Sequence, residues 1–189
     1  MLEILIPSLY ERKDFRKRLL RTLDRQIVPG QVRYTLDIDS GQISIGEKRQ
    51  RMLEAATGEY VVFIDDDDWI STDYIALILE AIKEKPDVVG IQIHHLIDGK
   101  LHGHTFHSIE YDHWFDEPDK KHPCRRFYYR NPNHINPVKR ELALLAGYPQ
   151  IRFGEDHQYS IKLLPHLNTE VYIKKVIYYY RERTIRRGT

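Results

Sequence analysis

The sequence predicts an α/β domain in three layers, with a central mixed sheet that is mostly parallel. Three observations carry that expectation. Apolar runs of strand length alternate with stretches of helical period, acidic residues gather where the runs end, and no repeat, low-complexity tract or linker divides the 189 residues. One domain, 1–189, is therefore expected, made of a 1–93 half and a 94–189 half.

The first run, Leu2-Glu3-Ile4-Leu5-Ile6, reads as a buried strand stopped by Pro7 and Ser8, and Asp14 to Gln26 as a helix with Phe15, Leu19, Leu20 and Leu23 on one side. Pro29-Gly30 breaks the chain before a second strand, Val32 to Ile38, whose end carries Asp37, Asp39 and Gly41. Glu47 to Ala56 follows as a helix, and Tyr60 to Ile64 as a strand running straight into Asp65-Asp66-Asp67-Asp68. Ser71-Thr72-Asp73 can cap the next helix, which Pro86 ends, and Val88 to Ile93 supplies another strand. From His94 to Pro137 the periodicity fades, apart from a hairpin around Asp98-Gly99-Lys100. Helical character returns in Lys139 to Ala146 and in His157 to Leu164, and Glu170 to Tyr180 reads as a last strand.

Composition bounds the class. A hydrophobic fraction of 41% with 30% charged residues fits a globular chain, and the formal charge of +1 names no partner. Arg181, Arg183, Arg186 and Arg187 read first as a solvated tail, although they could touch phosphates, and nucleic acid is not the expected partner. The one cysteine, Cys124, excludes an internal disulfide and fits a reducing compartment, so a cytoplasmic location is expected. The run from Leu2 to Leu9 is too short for a secretory core or a membrane span.

Four consecutive aspartates at the carboxyl end of an apolar strand repel one another unless something positive is bound. Hard divalent ions such as Mn²⁺ or Mg²⁺ use one or two carboxylates and let a substrate's phosphates complete the shell. Ligands of open α/β sheets sit beyond the carboxyl ends of strands, which is where Pro7-Ser8, Asp39 and Asp65 to Asp68 fall. A solvated acidic turn capping the next helix is the plainer alternative, and Asp68 alone fits it.

The stretch from Ile45-Gly46-Glu47-Lys48-Arg49 through Val61-Val62-Phe63-Ile64 to Asp65-Asp66-Asp67-Asp68 resembles the approach to the DxD motif in family 2 glycosyltransferases of the GT-A type. Ile6-Pro7-Ser8 with Arg12 is similar to that family's first nucleotide-binding loop, Asp39-Ser40-Gly41 to its acidic turn after the second strand, and Phe153-Gly154-Glu155-Asp156 to its ED motif. These segments follow the family order from residue 2 to about residue 165. Gln50 departs from the asparagine common in relatives, and the chain is short for the family.

The resemblance implies a GT-A fold, Rossmann-like, with 1–93 binding a nucleotide-diphosphate sugar, UDP by family habit, and 94–189 binding a hydroxyl acceptor such as a glycan. Asp67 is then the preferred ligand of Mn²⁺ or Mg²⁺, with Asp65 sharing the ion or bonding the ribose and Asp66 close by. Lys48 and Arg49 suit diphosphate or ribose contact, Asp39 accepts from the base edge, and Pro7, Ser8 and Arg12 shape the slot. Asp156 is the expected general base, which implies inversion. Glu155, His134 and Trp69 are placed on the acceptor side, Trp69 having plain core as its alternative.

Two rivals stand beside this. A haloacid-dehalogenase-like phosphohydrolase also has an apolar strand followed by DxD, but it expects that strand near the amino terminus, and a Thr or Val where Trp69 stands. A non-catalytic cation or carbohydrate-binding module leaves Asp156 without a role. The histidines, including His94-His95 and His102-Gly103-His104, lack the carboxylate or cysteine pattern that would complete a zinc site.

Overall fold

A computed structural model describes residues 1–182. The elements in order are β1 (Leu2–Leu9), α1 (Lys13–Asp24), β2 (Val32–Asp39), α2 (Ile45–Ala55), β3 (Tyr60–Phe63), β4 (Trp69–Ile70) and α3 (Tyr74–Ala81). Then come β5 (Val88–Ile97), β6 (Lys100–His107), β7 (Phe115–Pro118), β8 (Arg126–Arg130), β9 (Val138–Lys139), α4 (Arg140–Ala146), α5 (Glu155–Leu163) and β10 (Glu170–Glu182).

The three layers follow from side-chain alternation. Along β1, Leu2, Ile4 and Ile6 join one apolar cluster while Leu5 joins another, and β3 divides in the same way into Tyr60 and Val62 against Val61 and Phe63. The first cluster is closed by Leu19 and Leu23 of α1 with Tyr74, Ile75 and Ile78 of α3. The second is closed by Met52 and Leu53 of α2, Ala143 of α4, and Tyr159 and Leu163 of α5. Helices therefore cover both faces of the sheet.

Strand order is β2-β1-β3-β9-β5-β6-β8-β7, with β10 beside β5 and β4 beside β10. β1 runs parallel to β2 and β3, and β10 parallel to β5; the short β9 is antiparallel to both β3 and β5 and bridges the two parallel groups. The expected hairpin joins β5 to β6 around Asp98 and Gly99.

The sheet departs from expectation at Pro7, which does not stop β1. The Leu5 carbonyl faces β3, accepting from Ile64 N at 3.0 Å, so two residues on Pro7 faces the same side. β3 has already ended there, and the missing N–H forfeits no ladder bond. α2 begins two residues earlier than its apolar pattern, because Ser44 Oγ accepts from Glu47 N at 3.1 Å and caps the helix.

At the opposite end of the sheet, Glu3 is a buried carboxylate within β1. It accepts from the Thr57 and Gly58 amides, both at 2.8 Å, from Thr35 Oγ1 at 2.9 Å and from Arg33 Nη2 at 2.7 Å. Burial pushes this carboxyl up, but Arg33 and the amides outweigh it, and the net shift is downward.

Candidate active site

At the carboxyl ends of β1, β2 and β3 lies a cavity of about 540 Å³, walled by Pro7, Ser8, Arg12, Asp39, Lys48, Arg49 and Asp65 to Asp67. The size suits a small-molecule site. Every residue expected on the donor side is therefore brought to one place. The wall also draws on the second half of the chain, through Arg152, Phe153, Gly154, Glu155, Tyr180 and Arg181.

The aspartates split by parity. Asp65 and Asp67 keep partial exposure, while Asp66 and Asp68 are buried. Asp66 accepts from Ser8 Oγ and from Arg12 Nη1 at 2.9 Å, so it fastens the β1 loop rather than offering free oxygens. Asp68 accepts from the Tyr178 hydroxyl and from Arg181 N, both at 2.7 Å, and so pins β10 to the turn. Burial and the neighbouring Asp65 charge raise the Asp68 carboxyl well above its ordinary range. Asp67 is a third exposed and 3.4 Å from Arg12.

The basic residues of α2 are buried. Lys48 Nζ donates to the Ser8 carbonyl at 2.7 Å and pairs with Asp39 Oδ1 at 2.9 Å, which clamps the ends of β1 and β2 together. Asp39 also accepts from Gly41 N at 2.8 Å, while its Oδ2 is buried with no partner among the described residues. Burial raises the Asp39 carboxyl, but Lys48 and the Gly41 amide win, and it titrates below its ordinary range.

Arg49 links the two acidic motifs. Its Nη2 lies 2.9 Å from Asp65 Oδ1 and its Nε 3.3 Å from Glu155 Oε1. The guanidinium rests over Phe63 at 5.3 Å, on a floor formed by Tyr148 stacked against Tyr159 at 4.1 Å. Gln50, which stands where relatives commonly have asparagine, accepts from Tyr148 N at 2.7 Å. Asp65 is pushed up by burial and down by Arg49 and His134, and its net shift is strongly downward.

Two glycines set the late acidic pair. A Cβ on Gly46 would sit 1.8 Å from the Pro149 carbonyl oxygen, so α2 reaches the 149–151 loop only because that position has no side chain. Gly154 has φ +79° and starts α5, with Glu155 and Asp156 in the first turn, where the helix dipole favours acids.

Asp156 does not line the main cavity. It faces an adjoining pocket of about 280 Å³, which also contains His134 and shares Tyr180 with the main cavity. His134 Nε2 is 3.4 Å from Asp65 Oδ2, so this histidine stands between the two spaces.

Two expectations need correction. Trp69 is not brought to the cleft: β4 pairs with β10, and the indole is held between the Arg18 and Arg181 guanidinium groups at 3.9 and 4.0 Å, beside a separate pocket against α1. Arg181 is no solvated tail, because its Nη1 donates to the Asp67 carbonyl at 2.9 Å and it lines the cavity. Arg183, Arg186 and Arg187 lie outside the described residues. Sequence reading also passed over Arg152, which reaches the Gly41 carbonyl at 3.3 Å, and Trp114 and Arg130 of the smaller pocket. No helix among the described residues is long and apolar enough to cross a membrane.

Residues 41–153 match the profile of glycosyl transferase family 2. EpsH of Bacillus subtilis (strain 168), assigned as a glycosyltransferase, is 26% identical over 145 residues, which is 72% of this chain and 41% of EpsH. S. aureus TarS 1-349 in complex with UDP-GlcNAc superposes with a TM-score of 0.70 at 16% identity, over 97% of this chain and 59% of that one. Its complex with UDP gives 0.69 at the same identity, over 96% and 61%. The chain thus spans less than two thirds of these relatives, and the likeness to TarS shows the shared fold, that of the GT-A type. With the family profile matched over more than half of its length, the chain belongs to glycosyl transferase family 2.

Proposed function

We infer that this chain transfers a sugar from a nucleotide-diphosphate donor to a hydroxyl acceptor, with inversion, working as one domain. The observation that carries the reading is the buried Arg49, which ties Asp65 of the larger cavity to Glu155, the neighbour of Asp156 on the smaller one. UDP-sugar is the proposed donor. TarS, which shares the fold, binds UDP-GlcNAc and UDP, and the unpartnered Asp39 Oδ2 suits the N–H of a uracil edge.

Asp67, with Asp65, would hold Mn²⁺ or Mg²⁺. Burial raises the Asp67 carboxyl, and the Asp65 and Asp66 charges add to this against the pull of Arg12, a strain that a cation relieves. Among the described residues no group of three or more His, Cys, Asp or Glu side chains forms a metal cage, so donor phosphates and water must complete the shell. When bound, the ion would offset charge on the departing diphosphate. Arg12, Arg152 and Arg181, all on the cavity wall, add positive charge beside it.

On the acceptor side Asp156 takes the hydroxyl proton as that oxygen bonds to the anomeric carbon and the bond to the diphosphate breaks. One base opposite the leaving group gives a single displacement, hence inversion. Asp156 Oδ1 accepts from His157 N at 2.8 Å, which fixes the carboxylate. His134, between Asp65 and the smaller pocket, borders both reactants. The test is incubation with Mn²⁺, a panel of nucleotide sugars and mixed glycosides, scored by released diphosphate and product anomer. Release that needs both metal and acceptor supports the reading; a donor that neither binds nor turns over defeats it.

A further inference from the structure

The smaller pocket carries a cation with no ion-pair partner among the described residues. Arg130, at the end of β8, is half-buried and has no carboxylate within 4.0 Å among the described residues. The nearby acid Asp116 is already paired with Arg126. Arg130 Nη1 donates to the carbonyls of Phe115 at 2.7 Å and Tyr129 at 2.9 Å, and no hydrogen bond among the described residues engages its Nε or Nη2. Burial lowers its affinity for the proton, and Asp116 and Asp156 offset this only in part. A half-buried guanidinium with most of its fork free is the usual recognition group for carboxylate or phosphate.

Around it the pocket has the character of a sugar site. The Arg130 guanidinium lies over the Trp114 and Tyr128 rings, 5.0 and 5.3 Å from their centroids, so aromatic surface borders the charge. His107, fully buried and driven down to about 3, stays neutral, so it does not share the cationic role. Trp114 Nε1 and His134 Nδ1 are buried in the wall with no hydrogen-bond partner among the described residues, a cost that ligand oxygens would remove after a small side-chain shift. The carboxylate of Asp156 is the group on this wall suited to accept from a hydroxyl.

We propose that this pocket binds an anionic saccharide as the acceptor, its carboxylate or phosphate on the Arg130 fork and its attacking hydroxyl toward Asp156. The inference rests on the transferase reading and narrows its acceptor from any glycan to a uronate or phosphate-bearing one.

The chain has only two tryptophans, so their indole N–H resonances can be read separately. ¹⁵N-labelled protein is titrated with methyl glucuronide, glucose 6-phosphate and the neutral methyl glucoside, with Trp114→Phe to assign the peaks. The Trp114 signal is expected to move with one or both anions and not with the glucoside, while Trp69, in its separate pocket, stays still and reports an intact fold. R130Q should weaken anion binding about 10-fold or more, and R130K, which keeps the charge but loses the fork, should fall between. A Trp114 signal indifferent to both anions, equally responsive to the glucoside, or unaltered in its response in R130Q overturns the proposal. Diphosphate release from a donor alongside such indifference leaves the transferase reading standing without this acceptor. Anion binding in a protein that turns over no donor overturns the acceptor role instead.

Discussion

The buried Arg49 pairs with the partly exposed Asp65, Nη2 to Oδ1 at 2.9 Å, and the same guanidinium reaches the buried Glu155, 106 residues further along the chain. One side chain of α2 thus joins the end of β3 to the start of α5. Removing Arg49 leaves the buried Glu155 charge without its partner. Arg49→Ala should lower unfolding free energy by roughly 3–5 kcal/mol, read by urea denaturation. Arg49→Lys keeps the charge but cannot span both acids, so it should fold and lose kcat. Equal activity in R49K would separate the network from catalysis.

Lys48 predicts a different phenotype. Its ammonium is committed to the Ser8 carbonyl and Asp39, which makes it a positioning residue rather than a free phosphate ligand. Lys48→Met should loosen the nucleotide slot, raising the donor KM about 10-fold through loss of a charged hydrogen bond while kcat changes less. A kcat-only defect would place Lys48 at the reacting centre instead.

Much of this site was legible because strand ends and acid clusters are local signals. β3 running into four aspartates, and the Phe153-Gly154-Glu155-Asp156 segment ahead of a helix, needed no tertiary information, although α5 begins at Glu155, two residues before the expected His157. The division of labour among the aspartates did need it. Asp66 is used up by Ser8 and Arg12 from β1 and the turn after it, and Asp68 by Tyr178 on a strand 110 residues away. Trp69 was misplaced for the same reason, since only the pairing of β4 with β10 turns it toward α1. Arg130 was invisible because β7 and β8 carry aromatic, acidic and basic residues with no apolar alternation, and it is the pairing of β8 with β6, and of β7 with β8, that sets it in the pocket.

Glu3 predicts a pH dependence of stability unconnected with activity. Its folded pKa lies below the ordinary 4.5. Its contribution is therefore complete above about that pH and is lost as pH falls through the lower folded value. Glu3→Gln should cost about 1–3 kcal/mol at pH 7 by leaving the Thr57 amide and the buried Gly58 amide worse satisfied. The gap between wild type and E3Q in urea midpoints should close in acid. A gap that is constant from pH 7 to about 3 would show that the charge is irrelevant.

Metal dependence is the sharpest test of the aspartate turn, because the four carboxylates should fail in distinguishable ways. Asp67 is the most exposed of the four and lies 3.4 Å from Arg12, so Asp67→Asn should fold normally. It should lose on the order of 10²–10³ in kcat if it helps to stabilise the leaving diphosphate. Excess Mn²⁺ should restore part of that loss, and chelation should abolish wild-type diphosphate release. Asp68→Asn removes a buried acceptor of the Tyr178 hydroxyl and the Arg181 amide, and should chiefly lower the melting temperature. If D67N kept full rate in the presence of chelator while D68N lost it without losing stability, the ion would have to be assigned to a different pair of oxygens.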